Sequence, residues 1–144
     1  MLYSKNIKKA VDIAFKAHAG QYDKGGYPYI MHPLHLAEQM ETEDEVITAL
    51  LHDVVEDSDT TIDDIKNQGF SENITDALKI LTRSENEEYF DYINRIKNAG
   101  GIALKVKKAD LQHNMTFQRL ENMSEKDKQR IEKYMLSYKK LNDE

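Results

Sequence analysis

The chain has 144 residues and a formal net charge of -6, with 20 Lys and Arg against 26 Asp and Glu. That length supports one self-sufficient core, and that charge argues against nucleic acid as a partner, where a basic stripe is the expected footprint. Cys is absent, which excludes disulfides, thiolate metal sites and a Cys nucleophile, and leaves His, Asp and Glu as the only metal ligands. No apolar run approaches a membrane span and no signal-peptide core follows Met1, so the expectation is a single cytoplasmic domain over residues 1–144 that acts on a small molecule, away from membranes.

Ser4 is a candidate N-cap for a first helix, in which Ile7, Ala10, Val11, Ala14, Phe15 and His18 keep helical spacing to about Ala19; Gly20 is placed to end it. The period is lost from Gln21 to Ile30, a stretch with Gly25, Gly26 and Pro28 that is longer than a median connection and reads as a functional loop. Pro33 suits the first turn of a second helix running to about Met40, with His32 at its entrance. Glu41 to Glu45 is an acid-rich, capped start to a third helix that continues to about Asp57. Thr61 to Asp64 opens a short helix closed by Gly69, and Ser71 begins another with Ile74, Ala77, Leu78 and Leu81 at helical spacing. After a polar bend at 83–87, Tyr89, Phe90, Ile93 and Ile96 restore the period until Gly100 and Gly101 break it. A helix from Ile102 to about Met115 follows, and Ser124 to Asp127 is a capping box for a last helix with Ile131, Tyr134, Met135 and Tyr138 as its inward stripe. Strand-like alternation is nowhere sustained. The spacing therefore predicts an all-α bundle of about seven helices.

Residues 50–57 interrupt an apolar run with one imidazole and three carboxylates: Leu50, Leu51, His52, Asp53, Val54, Val55, Glu56, Asp57. As one helix, the stretch sets His52 and Glu56 one turn apart and Asp53 and Asp57 on the adjacent stripe. Two carboxylates at a helix C-terminus oppose the helix dipole, so something must compensate them. His32, the pair His52-Asp53, and Asp110 are also residues that a helical bundle does not need. Two imidazoles and two carboxylates suit a divalent ion of intermediate hardness: Mn, Fe, Zn or Co. Such an ion acidifies water, which makes metal-assisted hydrolysis the expected chemistry. Glu56 and Asp57 are the candidate acid/base pair, since two adjacent carboxylates repel and one pKa rises toward the operating pH. Lys24, Arg83, Lys105, Lys107, Lys108 and Arg130 are available for phosphate, but Lys105, Lys107 and Lys108 cannot all point inward and read as a solvated face. His18 and His35 read as structural. His113 is left as either a group behind the ligands or an exposed helix residue.

Three segments occur in order: Ala17-His18-Ala19-Gly20-Gln21 with Pro28-Tyr29-Ile30-Met31-His32-Pro33; Leu51-His52-Asp53-Val54-Val55-Glu56-Asp57; and Lys107-Lys108-Ala109-Asp110-Leu111-Gln112-His113-Asn114-Met115. Together they resemble the HD superfamily of metal-dependent phosphohydrolases, and most sharply the hydrolase domain of the RelA/SpoT alarmone enzymes in its small stand-alone form. The resemblance implies a single HD-type domain without a synthetase domain, and a metal, usually Mn, on His32, His52, Asp53 and Asp110. It implies removal of the 3′-pyrophosphate from guanosine tetra- or pentaphosphate, giving GDP or GTP, with Glu56 and Asp57 activating water or handling the leaving group. It also implies substrate contacts from Lys24 in the loop, Tyr29 near the nucleoside, Asn114 near the sugar, and Arg130 with Tyr134 closing the pocket. One position departs. The family's Gln-x-Arg-Lys, whose Arg packs on the base, is here Gln21-Tyr22-Asp23-Lys24. A carboxylate cannot stack as a guanidinium does, so Asp23 is expected to accept from guanine N1–H and N2–H. The alternatives are another phosphorylated nucleotide as substrate, or a catalytically silent HD module that binds nucleotide as a regulator.

Overall fold

Side-chain caps decide where the helices start. In the computed structural model, which describes residues 1–117 and 123–143, α1 (Lys5–Ala17) begins after Ser4, whose Oγ accepts from the Ile7 N–H at 3.1 Å. α2 (Met31–Glu38) leads into α3 (Glu43–Leu51), opened by a Thr42/Glu45 capping box with three acids in its first turn. α4 (Val54–Asp57) and α5 (Ile62–Asn67) follow, the latter with a Thr61/Asp64 box, then α6 (Glu72–Leu81) and α7 (Tyr89–Ala99), capped by Glu88. α8 (Gly101–Phe117) and α9 (Glu125–Asn142) complete the fold, α9 behind a Ser124/Asp127 box. Each such cap contributes about 0.5–2 kcal/mol. Ser71 precedes α6, but its hydroxyl donates to Asp44 Oδ2 at 3.3 Å and so ties the start of α6 to that of α3.

The described residues thus form an all-α bundle of nine helices rather than about seven. One added element comes from a break in the expected helix 43–57. The His52 ring, through Nδ1, donates to the Ala49 carbonyl at 2.6 Å, the acceptor that the Asp53 N–H takes in an uninterrupted helix. The chain turns at His52 and Asp53, and α4 restarts with the Asp57 N–H on the Asp53 carbonyl at 3.0 Å.

Every residue from Val46 to Leu51 is buried. A helix apolar on all sides belongs in the middle, and α3 packs against α1, α2, α6 and α8. Small Ala10 and Ala14 line the buried side of α1, which leaves Phe15, expected in the core, 49% exposed. The stripe of α9 is also rotated from the expected one. Ser137 and Leu141 are buried, Tyr134 and Tyr138 half-buried, and Met135 is 57% exposed; residues 134, 137, 138 and 141 form the face that meets α7 and α8. Gly100 and Gly101, with φ of 62° and 57°, take the left-handed conformations that let α7 reverse into α8. Among the described residues no helix is long and apolar enough to cross a membrane.

Candidate active site

The first turn of α2 supplies His32, the turn between α3 and α4 supplies His52 and Asp53, and α8 supplies Asp110. One ligand atom from each lies within 4.8 Å of the other three. His32 Nε2 is 2.8 Å from Asp110 Oδ1 and 3.8 Å from Asp53 Oδ2; His52 Nε2 is 3.0 Å from Asp53 Oδ2 and 3.4 Å from Asp110 Oδ1. His32, His52 and Asp110 are buried and Asp53 half-buried. Since the Ala49 carbonyl only accepts, the neutral His52 ring carries its proton on Nδ1 and turns the Nε2 lone pair into the cluster. That buried nitrogen has no aligned hydrogen bond. Burial pushes the Asp53 and Asp110 carboxyls up, but His52 beside Asp53 and Lys107 beside Asp110 outweigh it: Asp53 falls to about 2 and Asp110 well below its ordinary value. Burial pushes His52 down, and the same two carboxylates more than reverse it. Two ionised carboxylates, two imidazoles and one nitrogen with no other bond to make fit a divalent cation of intermediate hardness.

The four candidate ligands are held from behind. His32 Nδ1 lies 2.6 Å from His113 Nδ1, with the ring planes 5° apart, and His35 stacks on His113 with centroids 4.1 Å apart. Burial, then His32 and His35, lowers the His113 pKa to about 4. Lys107 Nζ donates to Asp110 Oδ2 at 2.8 Å and Asn114 Nδ2 to Asp110 Oδ1 at 3.2 Å. The Tyr29 hydroxyl donates to Asp53 Oδ2, and burial followed by the Asp53 charge holds this phenol far above its ordinary pKa.

Two clefts of about 350 and 310 Å³ open beside the cluster and share Tyr29, Asn114 and Tyr134 as a partition. The first is lined by His32, the loop residues Tyr22 to Gly25, and Arg130. It therefore gathers all five of the expected substrate residues: Lys24, Tyr29, Asn114, Arg130 and Tyr134. Lys24 Nζ and Arg130 Nη1 both face Asp127 Oδ1, at 3.0 and 3.5 Å. The second cleft holds Asp53, Glu56, Asp57 and Asp110 together with Arg83, Lys107 and Lys133. Glu56 Oε1 accepts from the Arg83 N–H at 2.8 Å, and burial raises its pKa. Asp57 is pushed up to about 6 by burial, then by Asp53 and Glu56. The Arg83 N–H, Lys107 and His52 compensate Glu56 in part, and His52 and His32 compensate Asp57, but burial outweighs them. A larger cleft, about 990 Å³, reaches the site only at Gln21 and Asp57 and contains none of the four ligands.

The loop before α2 is ordered by its own backbone. Tyr22 and Pro28 form an antiparallel bridge, the Asp23 N–H donates to the Tyr27 carbonyl at 2.8 Å, and the Tyr29 N–H to the Gln21 carbonyl at 2.9 Å. Asp23 Oδ1 accepts from the Gly25 and Tyr27 N–H groups at 2.8 and 2.9 Å, a turn that needs a short acceptor side chain and that Arg cannot make. One Asp23 oxygen therefore builds the loop, and the expectation that the whole carboxylate reads the base changes accordingly. Gln21 Nε2 donates to the Asp57 and Ala17 carbonyls at 2.7 and 3.1 Å, while Oε1 meets His18 Nδ1 at 2.8 Å. His18 is thus a buried organiser of the loop.

Residues 10–137 match the family model described as HD domain. The chain belongs to the HD domain family. A relative of this HD domain in Aquifex aeolicus, named guanosine-3′,5′-bis(diphosphate) 3′-pyrophosphohydrolase, is 38% identical over 85 residues, 56% of this chain and 12% of that protein. A GTP pyrophosphokinase of Myxococcus xanthus is 33% identical over 141 residues, 87% of this chain and 18% of that protein. The chain therefore spans less than a fifth of the length of these curated relatives. The HD domain also matches the fold of a solved structure, a metazoan ortholog of SpoT described as hydrolysing ppGpp. The TM-score is 0.80 and the identity 22%, over 98% of this chain and 85% of that one.

Three residues of the HD domain escaped sequence reasoning: Lys133, Tyr89 and Tyr92, all in the second cleft. A signal for Lys133 existed, because Arg130, Lys133 and Tyr134 at i, i+3 and i+4 share a helix face. The reading of Lys105 to Lys108 as a solvated face also needs correction. Lys107 is turned inward to Asp110, whereas Lys105 reaches Glu45 and Glu41 at 2.9 and 3.5 Å. Chemically, the arrangement can hold a divalent cation and set two carboxylates of raised pKa beside it.

Proposed function

We propose that the chain is a metal-dependent phosphohydrolase that removes the 3′-diphosphate of guanosine tetra- or pentaphosphate, with Mn as the ion on His32, His52, Asp53 and Asp110. The observation that carries this reading is the opening of that buried cluster onto a cleft containing Glu56 and Asp57, both of raised pKa. The name of the Aquifex aeolicus relative supports the substrate.

A divalent ion bound there supplies Lewis-acid charge and activates water. The chain's own groups do the rest. The Ala49 carbonyl aims His52, His113 aims His32, Tyr29 aims Asp53, and Lys107 with Asn114 aims Asp110. Asp57, with a pKa of about 6, takes a proton from the attacking water, and Glu56, held by the Arg83 N–H, gives one to the ribose O3′. The O3′–P bond breaks, the water oxygen stays on the departing diphosphate, and GDP or GTP is left. The first cleft receives the guanosine, with Lys24, Arg130 and Tyr134 around it and Asn114 at the sugar. Tyr29 meets the nucleoside with its ring, because its hydroxyl is committed to Asp53.

The test is product analysis of Mn-loaded protein with guanosine tetraphosphate, expecting GDP and diphosphate, with Asp53→Ala inactive. Turnover surviving Asp53→Ala refutes the metal site. Asp23 favours a second reading, hydrolysis of another phosphorylated nucleotide, since the usual base-stacking guanidinium has no counterpart at this position. Inactivity on guanosine tetraphosphate with turnover of a different nucleotide in a panel selects that reading. A silent nucleotide-binding regulator is the weaker reading, because both acid/base carboxylates accompany the intact cluster.

A further inference from the structure

Lys24, Arg95, Lys105, Lys128 and Arg130 each pair with a carboxylate away from the metal ligands. Among the described residues neither Arg83 nor Lys133 forms an ion pair, in a chain with more acids than bases. They converge instead. Arg83 Cζ and Lys133 Nζ stand 5.4 and 4.3 Å from the centroid of the same ring, Tyr89. Lys107 Nζ stands 5.3 Å from the centroid of Tyr92, and the two tyrosine centroids are 6.2 Å apart. Arg83 is fixed by its backbone N–H on Glu56 Oε1 and its Nε–H on the Glu87 carbonyl, at 2.8 and 2.9 Å, which leaves both terminal nitrogens for the cleft. Burial, then the nearness of Arg83, Arg130 and Lys107, pushes the Lys133 amine down, as mutual repulsion among cations requires.

We propose that Arg83, Lys107 and Lys133 form a diphosphate subsite, which receives the group cut from the nucleotide and makes inorganic diphosphate itself a ligand of the protein. The assignment to the departing group rests on the phosphohydrolase reading above. The three cations come from three elements, the bend before α7, α8 and α9. Arg83 offers a fork suited to two oxygens of one phosphate, Lys133 a compact point charge, and Lys107 the two ammonium protons that Asp110 does not take. A diphosphate, charged at both ends, spans more of this set than a monophosphate does. The other cleft has no counterpart to Arg83 and Lys133, because its cations Lys24 and Arg130 face Asp127. Selection therefore falls on the diphosphate at the ribose edge.

The experiment is titration calorimetry of the full metal-loaded chain with inorganic diphosphate, Mg²⁺ being in excess so that chelation does not strip the site. Inorganic monophosphate is the comparison, and thermal melting checks that each variant is folded. The wild type is expected to bind diphosphate roughly tenfold or more tighter than monophosphate, by one additional charge-assisted bond. Lys133→Met and Arg83→Met each weaken diphosphate by roughly tenfold to a hundredfold, and Lys133→Arg recovers most of the loss. No diphosphate binding by the wild type, or either folded Met variant binding as tightly as the wild type, overturns the subsite. The two readings fail separately. Binding that depends on Lys133 without hydrolysis of guanosine tetraphosphate refutes the function and keeps the subsite, whereas hydrolysis with diphosphate inhibition unaltered in Lys133→Met and Arg83→Met does the reverse.

Discussion

His113→Phe tests whether the metal site depends on a histidine that touches no ion. A neutral His32 has one proton. With Nε2 directed at a cation, that proton sits on Nδ1, 2.6 Å from His113 Nδ1, so His113 must accept it. Its pKa of about 4 keeps it neutral and able to accept near neutral pH. Phenylalanine preserves an aromatic ring beside His35 and His32 but removes the acceptor, leaving a buried N–H unsatisfied at a cost of about 1–3 kcal/mol. Loss of a partner behind a metal-bound histidine lowers affinity by roughly 10–100-fold, or about 1.4–2.7 kcal/mol, the same range reached independently. The assay is Mn²⁺ titration of the chelator-treated protein, followed by the electron paramagnetic resonance signal of the free ion. A folded His113→Phe with wild-type Mn²⁺ affinity refutes the reasoning.

Other consequences are equally direct. Asp57 has a folded pKa near 6, above its ordinary 3.8, so its charged form is disfavoured in the fold. Asp57→Asn should raise the melting temperature of metal-free protein above pH 6, with the gain vanishing below about pH 4, where the group is protonated folded and unfolded alike. The same change should lower kcat by roughly 10²–10⁴-fold and remove the acidic limb of the pH–rate profile; a limb that persists assigns the base elsewhere. Leu50→Ala, at a fully buried position of α3, should cost about 2–5 kcal/mol in denaturant unfolding, whereas Met135→Ala should cost less than about 0.5 kcal/mol. Asp23→Asn keeps the acceptor that orders the loop and should leave KM near wild type; Asp23→Arg loses it and should raise KM roughly tenfold. A lower KM in the Arg variant means that base stacking outweighs loop order.

What could be read from the chain was local or shared by a motif. The caps at Ser4, Thr42, Thr61 and Ser124 lie within three residues of the N–H groups they serve, and the four proposed metal ligands sit in three recognisable segments. The break at His52 was not legible, because it depends on an imidazole folding back under the Ala49 carbonyl inside a sequence that is helical by every local signal. Phe15 and Met135 were misplaced because apolar periodicity marks a stripe without saying which part of it a neighbouring helix covers. Lys107 and Lys105 differ by two positions but answer to partners on different elements, Asp110 and Glu45. The pairing of Lys24 with Asp127 joins residues 103 apart, and no spacing rule reaches that far. Asp23 looked like a lost contact to substrate, while its bonds to Gly25 and Tyr27 exist only once the loop has closed.

The burial of α3 on every side separates the molecule's motions in time. Amide protons of residues 46–51 lie in the most enclosed helix and should be among the slowest to exchange, whereas those of the exposed loop tip at 24–28, held by Asp23 Oδ1 and the Tyr22–Pro28 bridge, should exchange sooner. His52 and Asp53 follow directly on that enclosed helix, whereas Lys24, proposed to meet the nucleotide, belongs to the exposed loop tip. Inheritance can therefore rewrite the loop tip, and with it the proposed choice of nucleotide, so long as Gln21 and Tyr29, which tie the loop to Asp57 and Asp53, are kept.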